Sequence, residues 1–280
     1  LNSKQKATVN LLRSLGVKKV KKPPAWSYPL AVERSYLTML RELFSDVIDK
    51  ALSRYERLER LAERYQRKFG ITDGVEDDVE KFLEFIGKLL LLKKVQVSHF
   101  ESSLGLVFGR LNKVSDNSFS RIKKQSLGFD FKGPLIDENR FKKRFIKEQM
   151  RLVRSKNQDI ITHVQRRFAS GIYGDIRHEE IRKDLKDWFN KKDYELKRIA
   201  RDQVSKYNGR LAQERMASIG VNKYVWRTAK DSRVRDHHTV LEGKRFSFSK
   251  PPAEGNPGQP IQCRCYAEPV FDFVQENLGE

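Results

Sequence analysis

From Ala31 to Phe69 the chain runs without one proline or glycine. Such a stretch has no place to turn. Leu37, Leu40, Leu43, Phe44, Val47, Ile48, Ala51 and Leu52 recur mostly at spacings of three and four, which puts them on one face of a long helix ending at Gly70. Its later part, Arg54 to Lys68, mixes charges of both signs and reads as a solvated face. An acidic turn over Ile71–Asp78 leads to a second expected helix, from about Val79 to Leu111. Its stripe is Phe82, Phe85, Ile86, Leu89, Leu90, Val97, Phe100, Leu104 and Val107. Ser102, Ser103, Gly105 and Gly109 either loosen that helix or admit a close neighbour. Gly128, Gly133 and Pro134 mark a loop. A third long helix is predicted from after Asp137 to about Ser170, stopped by Gly171. A short one follows over Glu179–Phe189, and another from about Tyr194 to Ser218 stops at Gly220.

Only 38% of the residues are hydrophobic and 34% are charged, which favours elongated helical pieces over a single thick core. The net charge of +20 attracts polyanions through counterion release, so nucleic acid is the first partner to consider. An acidic protein partner, or plain solubility, is the alternative. Residues 140–215 hold 22 basic and 11 acidic side chains. Residues 1–22 carry Lys4, Lys6, Arg13, Lys18, Lys19, Lys21 and Lys22 with no acid, and Pro23 and Pro24 close them off. This reads as a flexible basic arm; the other reading is a short amphipathic helix, Val9 to Leu15, docking on a neighbouring subunit. The longest apolar run, Leu89 to Leu92, is far too short to span a membrane. Two cysteines one residue apart cannot make a disulfide framework, and the chain reads as made in a reducing cytoplasm.

After Gly220 the texture changes. Tyr224 to Thr228 and Arg245 to Phe248 are β-type runs, residues 251–260 form a Pro/Gly loop, and Gln262 to Val270 is a last strand candidate. A short helix is expected within Arg233–Leu241. The predicted fold is mainly α with a small α+β C-terminal cap, long helices followed by short strands. Four consecutive segments are expected: a basic arm (1–30), a long-helix region (31–136), a basic helical part (137–220) and the cap (221–280).

The cap holds the specific signal. Trp226, Thr228, Asp231-Ser232-Arg233-Val234-Arg235, His238, Leu241 and Gly243 precede the Pro/Gly loop. Pro257-Gly258, Pro260-Ile261-Gln262-Cys263-Arg264-Cys265 and Ala267-Glu268-Pro269 follow, and Ile199 to Gln203 with Asn208 lie upstream. In this order the set resembles the phage Mu F-like head-morphogenesis family over roughly residues 140–275. The resemblance implies a low-copy, non-enzymatic minor head protein of a tailed DNA bacteriophage. It further implies manufacture in the host cytoplasm and placement inside the capsid near the portal. Expected partners are a portal or inner capsid protein and double-stranded DNA contacted without sequence preference, with no membrane during assembly. Asn256 stands where members often have histidine.

The motif residues Trp226, Asp231, Arg233, Arg235, His238, Gly243, Cys263, Arg264 and Cys265 read first as a small fold being pinned together. Residues 263 and 265 share a strand face, so Arg264 points away, free to pair with Asp231 or Glu268. Asp231, Arg233 and Arg235 suit a helix start and charge-assisted bonds. No cofactor is required by that reading. A zinc site is the sharper one: His238, Cys263 and Cys265 supply three ligands, with His237, Asp231 or Asp236 as the fourth. A head-carried nuclease or effector using His237 and His238 for acid–base chemistry is a third. His99, His163 and His178 are expected to be structural or surface residues, and Trp188 and Phe189 core. No Gly-rich phosphate loop is present, so nucleotide hydrolysis has no support.

Overall fold

The computed structural model describes residues 1–46, 94–131, 136–173 and 178–278, with positions 49, 53, 83, 84, 87 and 88. It is mostly helical with a small antiparallel sheet after the long helices, as the sequence predicts. Helix α1 is Ser3–Ser14, α2 covers residues 30–46, α3 is Lys94–Leu127, α4 Glu138–Tyr173 and α5 His178–Ser218. The cap adds β1 (Lys223–Arg227), α6 (Asp236–Thr239), β2 (Arg245–Ser247), β3 (Tyr266–Pro269) and α7 (Asp272–Gln275). Most of the expected helical stretch 47–69, the turn 71–78 and most of 79–93 lie outside the described residues.

Three helix limits differ from expectation. Helix α3 continues past Leu111 to Leu127, because Phe119, Ile122 and Leu127 extend its buried stripe. Gly128, at φ +82°, ends it. Among the described residues, added Cβ atoms at Gly105 and Gly109 would meet nothing within 4 Å. Helix α4 starts after Asp137, whose carboxylate accepts the Arg140 N–H at 2.9 Å, and runs through Gly171 to Tyr173. The expected break between Phe189 and Tyr194 is absent from α5. Lys192–Glu195 and Lys197–Asp193 ion pairs staple that turn, at the spacings that support a helix.

The chain forms two compact units rather than four consecutive segments. One comprises Leu1–Ser35, Leu106–Lys143 and Arg198–Glu280. Its core gathers Val9 and Leu12, Phe119 and Ile122, Met216 and Ile219, Tyr224 and Trp226, and Phe271 and Val274. The first residues are therefore no free arm. Asn2 and Gln5 form a capping box, each side chain accepting the other's backbone N–H at 2.9 Å. Val9 and Leu12 turn into the core. Gln5 Nε2 donates to the Gly220 carbonyl at 3.1 Å and Thr8 Oγ1 to that of Ile219 at 3.0 Å. α1 thus satisfies carbonyls that the end of α5 leaves open. Gly220 makes this possible twice over. Its φ of +84° turns the chain, and an added Cβ would sit 2.9 Å from Gln5 N.

Arg215 binds the three long helices together inside this unit. Its guanidinium donates to Ser115 Oγ (3.1 Å), Asp116 Oδ1 (2.9 Å), the Asn112 carbonyl (3.2 Å) and Glu138 Oε1 (2.6 Å). Asn112 in turn donates to Glu138 Oε2 and accepts from the buried Tyr207 hydroxyl at 2.7 Å. In the sheet, order β2-β1-β3, Tyr224 pairs with Phe246 and Pro269, and Trp226 with Ala267.

The other unit, Tyr36–Gly105 with Arg144–Lys197, buries Tyr36, Leu40, Phe44, Met150, Ile161 and Phe168. The Tyr36 hydroxyl donates to Gln149 Oε1 at 2.7 Å. Arg41 grips Asp193 through two bonds, 2.6 and 2.9 Å, and that bonding, with Lys197, holds the Asp193 carboxyl down to about 2. His163, expected to be structural, stacks on Trp188 at 4.0 Å; burial, then Arg167 and Lys192, push its pKa down.

Gly220→Ala forces a side chain into a left-handed position and against α1, so a loss of more than about 1 kcal/mol is expected. Amide exchange over residues 3–14 should accelerate first; unchanged protection there would refute the docking role. Arg215→Met leaves Ser115 and the Asn112 carbonyl buried without a donor. Thermal or denaturant unfolding should show a cost of about 1–3 kcal/mol.

Candidate functional site

The chemistry-bearing residues of the cap converge on one buried point. Residues 231–234 turn: Asp231 Oδ1 accepts the Arg233 N–H at 3.1 Å, and Val234 N–H bonds the Asp231 carbonyl. The chain then enters α6, which begins at Asp236 with Arg235 before it. One turn of helix exposes His237 and buries His238, which is only 3% exposed. Gly243, at φ +78°, reverses the chain and donates its N–H to the Trp226 carbonyl.

Opposite α6 comes the Cys263-Arg264-Cys265 segment. It precedes β3 rather than lying in it, yet the expected alternation holds. Both thiols are buried and lie against the same ring atom: His238 Nδ1 is 3.8 Å from Cys263 Sγ and 3.5 Å from Cys265 Sγ. Arg264 points away and pairs with Asp231 at 2.6 Å. Arg233 also reaches Asp231 (3.2 Å), whereas Arg235 donates to the Ile261 carbonyl at 2.6 Å. Burial pushes the Asp231 carboxyl up, but donors from Arg264 and Arg233 outweigh it and leave it below its ordinary value.

The backbone is under tension where it presents the thiols. Gln262, immediately before Cys263, has φ +56°, a left-handed conformation that costs a non-glycine residue about 1–3 kcal/mol. Its N–H donates to Asp202 Oδ1 at 3.0 Å, which explains why Asp202 of α5 belongs to the ordered motif. Trp226 closes the floor, its ring edge-on to His238 at 5.4 Å. Gly209 and Gly258 let α5 and the Pro/Gly loop touch backbone to backbone; a Cβ at 209 would meet the Pro257 carbonyl at 2.6 Å. Asn256 is buried, accepts from the Tyr224 hydroxyl (2.9 Å) and donates to the Phe248 carbonyl (3.2 Å).

Electrostatics follow from burial and packing. Burial, then His237 and Arg235, lower the His238 pKa, which favours the neutral ring. The Cys263 thiol is lowered to about 7, first by hydrogen bonding with Cys265 and also by the Gly258 and Cys265 backbone N–H groups. The hydrogen bond with Cys263, then burial, push Cys265 up. Beside them Arg227 clamps Glu268 with bonds of 2.9 and 2.8 Å and reaches Glu242 at 3.2 Å. Nothing in the sequence reading singled out Arg227, Glu242 or Gly209.

Residues 162–268 match the family model for Phage Mu protein F like protein. This stretch is similar to that family. The match takes in all of α5, the cap as far as Glu268 of β3, and every motif residue described above but Pro269, and it falls inside the 140–275 range over which the motifs resemble the family. An uncharacterized protein of Haemophilus influenzae is 32% identical over 124 residues, 44% of this chain and 28% of that protein. The chain thus spans under a third of that relative's length. No solved structure matches.

The Mu F-like segment makes a pH prediction. Burial alone raises the Glu242 carboxyl, but the Thr228 N–H and Arg227 outweigh it and hold it below its ordinary value. Its contribution is therefore present above the unfolded pKa and fades as pH falls through the lower folded value. Arg227→Met removes that support and leaves Glu268 buried without a counter-charge, at a cost of about 3 kcal/mol. Its acid unfolding should move to higher pH, and Glu268→Gln should recover part of the loss. An acid transition identical to the parent's would refute the clamp.

Proposed function

We propose that this chain is a minor head protein of a tailed DNA bacteriophage, acting in head morphogenesis. The observation that carries the reading is the Mu F-like match over residues 162–268, which holds the ordered motif set from Ile199 to Glu268. The protein is made in the host cytoplasm and works inside the capsid near the portal, without enzymatic activity or a membrane step. Among the described residues no helix is long and apolar enough to cross a membrane. Its partners are a portal or inner capsid protein and packaged DNA.

The DNA contact is electrostatic. Arg144, Lys147, Arg151 and Arg154 follow one another at spacings of three, four and three along α4, and all four are exposed. Residues so spaced share one helix face, giving a positive stripe suited to phosphates rather than base edges. The rival nuclease or effector reading gains nothing from the geometry. His238 is buried with its Nδ1 against two thiols, so it offers no base to a phosphodiester, and His237 lies 3.6 Å from Glu254.

Mass spectrometry of purified virions should find the chain in DNA-filled heads at low copy; its absence from all head fractions would overturn the assignment. Binding to duplex DNA should be indifferent to sequence and fall steeply with salt. Replacing Lys147, Arg151 and Arg154 by alanine should reduce the slope of log K against log salt by about 2.7, at about 0.9 per phosphate contact. An unchanged slope would move the DNA contact elsewhere.

A further inference from the structure

We propose that His238 Nδ1 and the thiolates of Cys263 and Cys265 hold a zinc ion, with a water molecule as fourth ligand. Sequence spacing made these residues candidates, but the geometry is what selects them. Bond lengths of about 2.3 Å to sulphur and 2.0–2.1 Å to nitrogen in a tetrahedron place sulphur and nitrogen about 3.6 Å apart. The observed separations are 3.8 and 3.5 Å, and all three ligand atoms lie within 4.8 Å of one another.

Hydrogen bonding alone accounts for this arrangement poorly. A neutral imidazole has one lone pair, and two thiols cannot both donate well to it. A cation at the centre satisfies all three groups at once. The Gly258 and Cys265 backbone N–H groups donate to Cys263, and the Trp226 indole N–H lies beside Cys265, so each sulphur already has a donor on its protein side. Trp226 Nε1 and His238 Nε2 are otherwise buried without a hydrogen-bond partner. With Nδ1 on the metal, Nε2 keeps its proton, and the Glu254 carboxylate 3.9 Å away is the nearby group toward which it can turn as an outer-shell acceptor.

Room for the fourth ligand is present. His238, Cys263 and Cys265 line a cavity of about 20 Å³ together with Ala229, Val234 and Arg235, enough for a single water. Two thiolates cancel the charge of a divalent ion, so the buried site closes neutral. Two sulphurs, one nitrogen and tetrahedral spacing suit zinc over the harder magnesium or calcium. Asp231 is engaged by Arg264 and Arg233, which leaves it a positioning role outside the metal.

The full chain, stripped with a chelator under reducing conditions, is titrated with Co²⁺ as the spectroscopic probe. One equivalent is expected to raise thiolate-to-cobalt charge-transfer and tetrahedral d–d bands, which Zn²⁺ then displaces. His238→Ala, Cys263→Ser and Cys265→Ser should each weaken binding at least tenfold, whereas His237→Ala should leave it unchanged. Should a variant unfold, alkylation decides: Zn²⁺ is expected to slow modification of both cysteines in the unaltered chain. Helix-retaining wild-type protein with no charge-transfer band, or no protection of either thiol, would overturn the site. Loss of binding in His237→Ala would overturn the ligand set in favour of the His237, His238 and Glu254 group.

Discussion

A guanidinium that is almost completely enclosed is costly to bury unless its nitrogens find acceptors. Arg215 meets that demand only when Ser115 and Asp116 of α3, Glu138 at the head of α4, and its own helix stand in one arrangement. Sliding any helix by one turn would break several bonds at once. Apolar packing tolerates small shifts better than this, so the polar node fixes the register that Phe119, Ile122 and Met216 then fill. The end of α5 is thereby positioned, and everything in the cap is measured from it.

From that end the cap is assembled by close approaches more than by bulk. Gly220 lets α1 lie directly on the α5 terminus, and Gly209 with Gly258 bring the Pro/Gly loop down to the helix backbone. Asp202, one face of the same helix, takes the Gln262 N–H and holds the residue before Cys263 in its left-handed state. Thiol placement is therefore dictated by a helix more than fifty residues earlier in the chain. The Arg227–Glu268–Glu242 group ties β1 to β3 and to the turn after α6, closing the far side.

Much of this was legible in the residues. Three-and-four spacing identified the long helices, alternation located the strands, and the two-residue step from Cys263 to Cys265 foretold a shared face with Arg264 turned away toward Asp231 or Glu268, of which it takes Asp231. The limits of the helices were less legible, because residues 189–194 contain no breaker and their fate depends on ion pairs that only a helix can form. The acid-free N-terminus misled for a related reason. Its charges dominate composition, while docking depends on Val9, Leu12 and two polar side chains meeting carbonyls over two hundred residues away. Local pattern reports what a segment can do alone; His238 facing both thiols is a property of three segments meeting.

The meeting of α1 with the cap also bears on when this unit can form. Val9 and Leu12 share a core with Phe271 and Val274, and Arg13 donates to the carbonyl of Asn277 at 2.9 and 2.6 Å. A ribosome delivers those partners at opposite ends of synthesis of the segment. Contacts so distant along the chain form late, since loop closure must precede any gain from them. Until Phe271 and Val274 emerge, the apolar face of α1 lacks part of the core it fits. Closure of the unit therefore waits on partners that lie 264 positions further along the chain than Arg13.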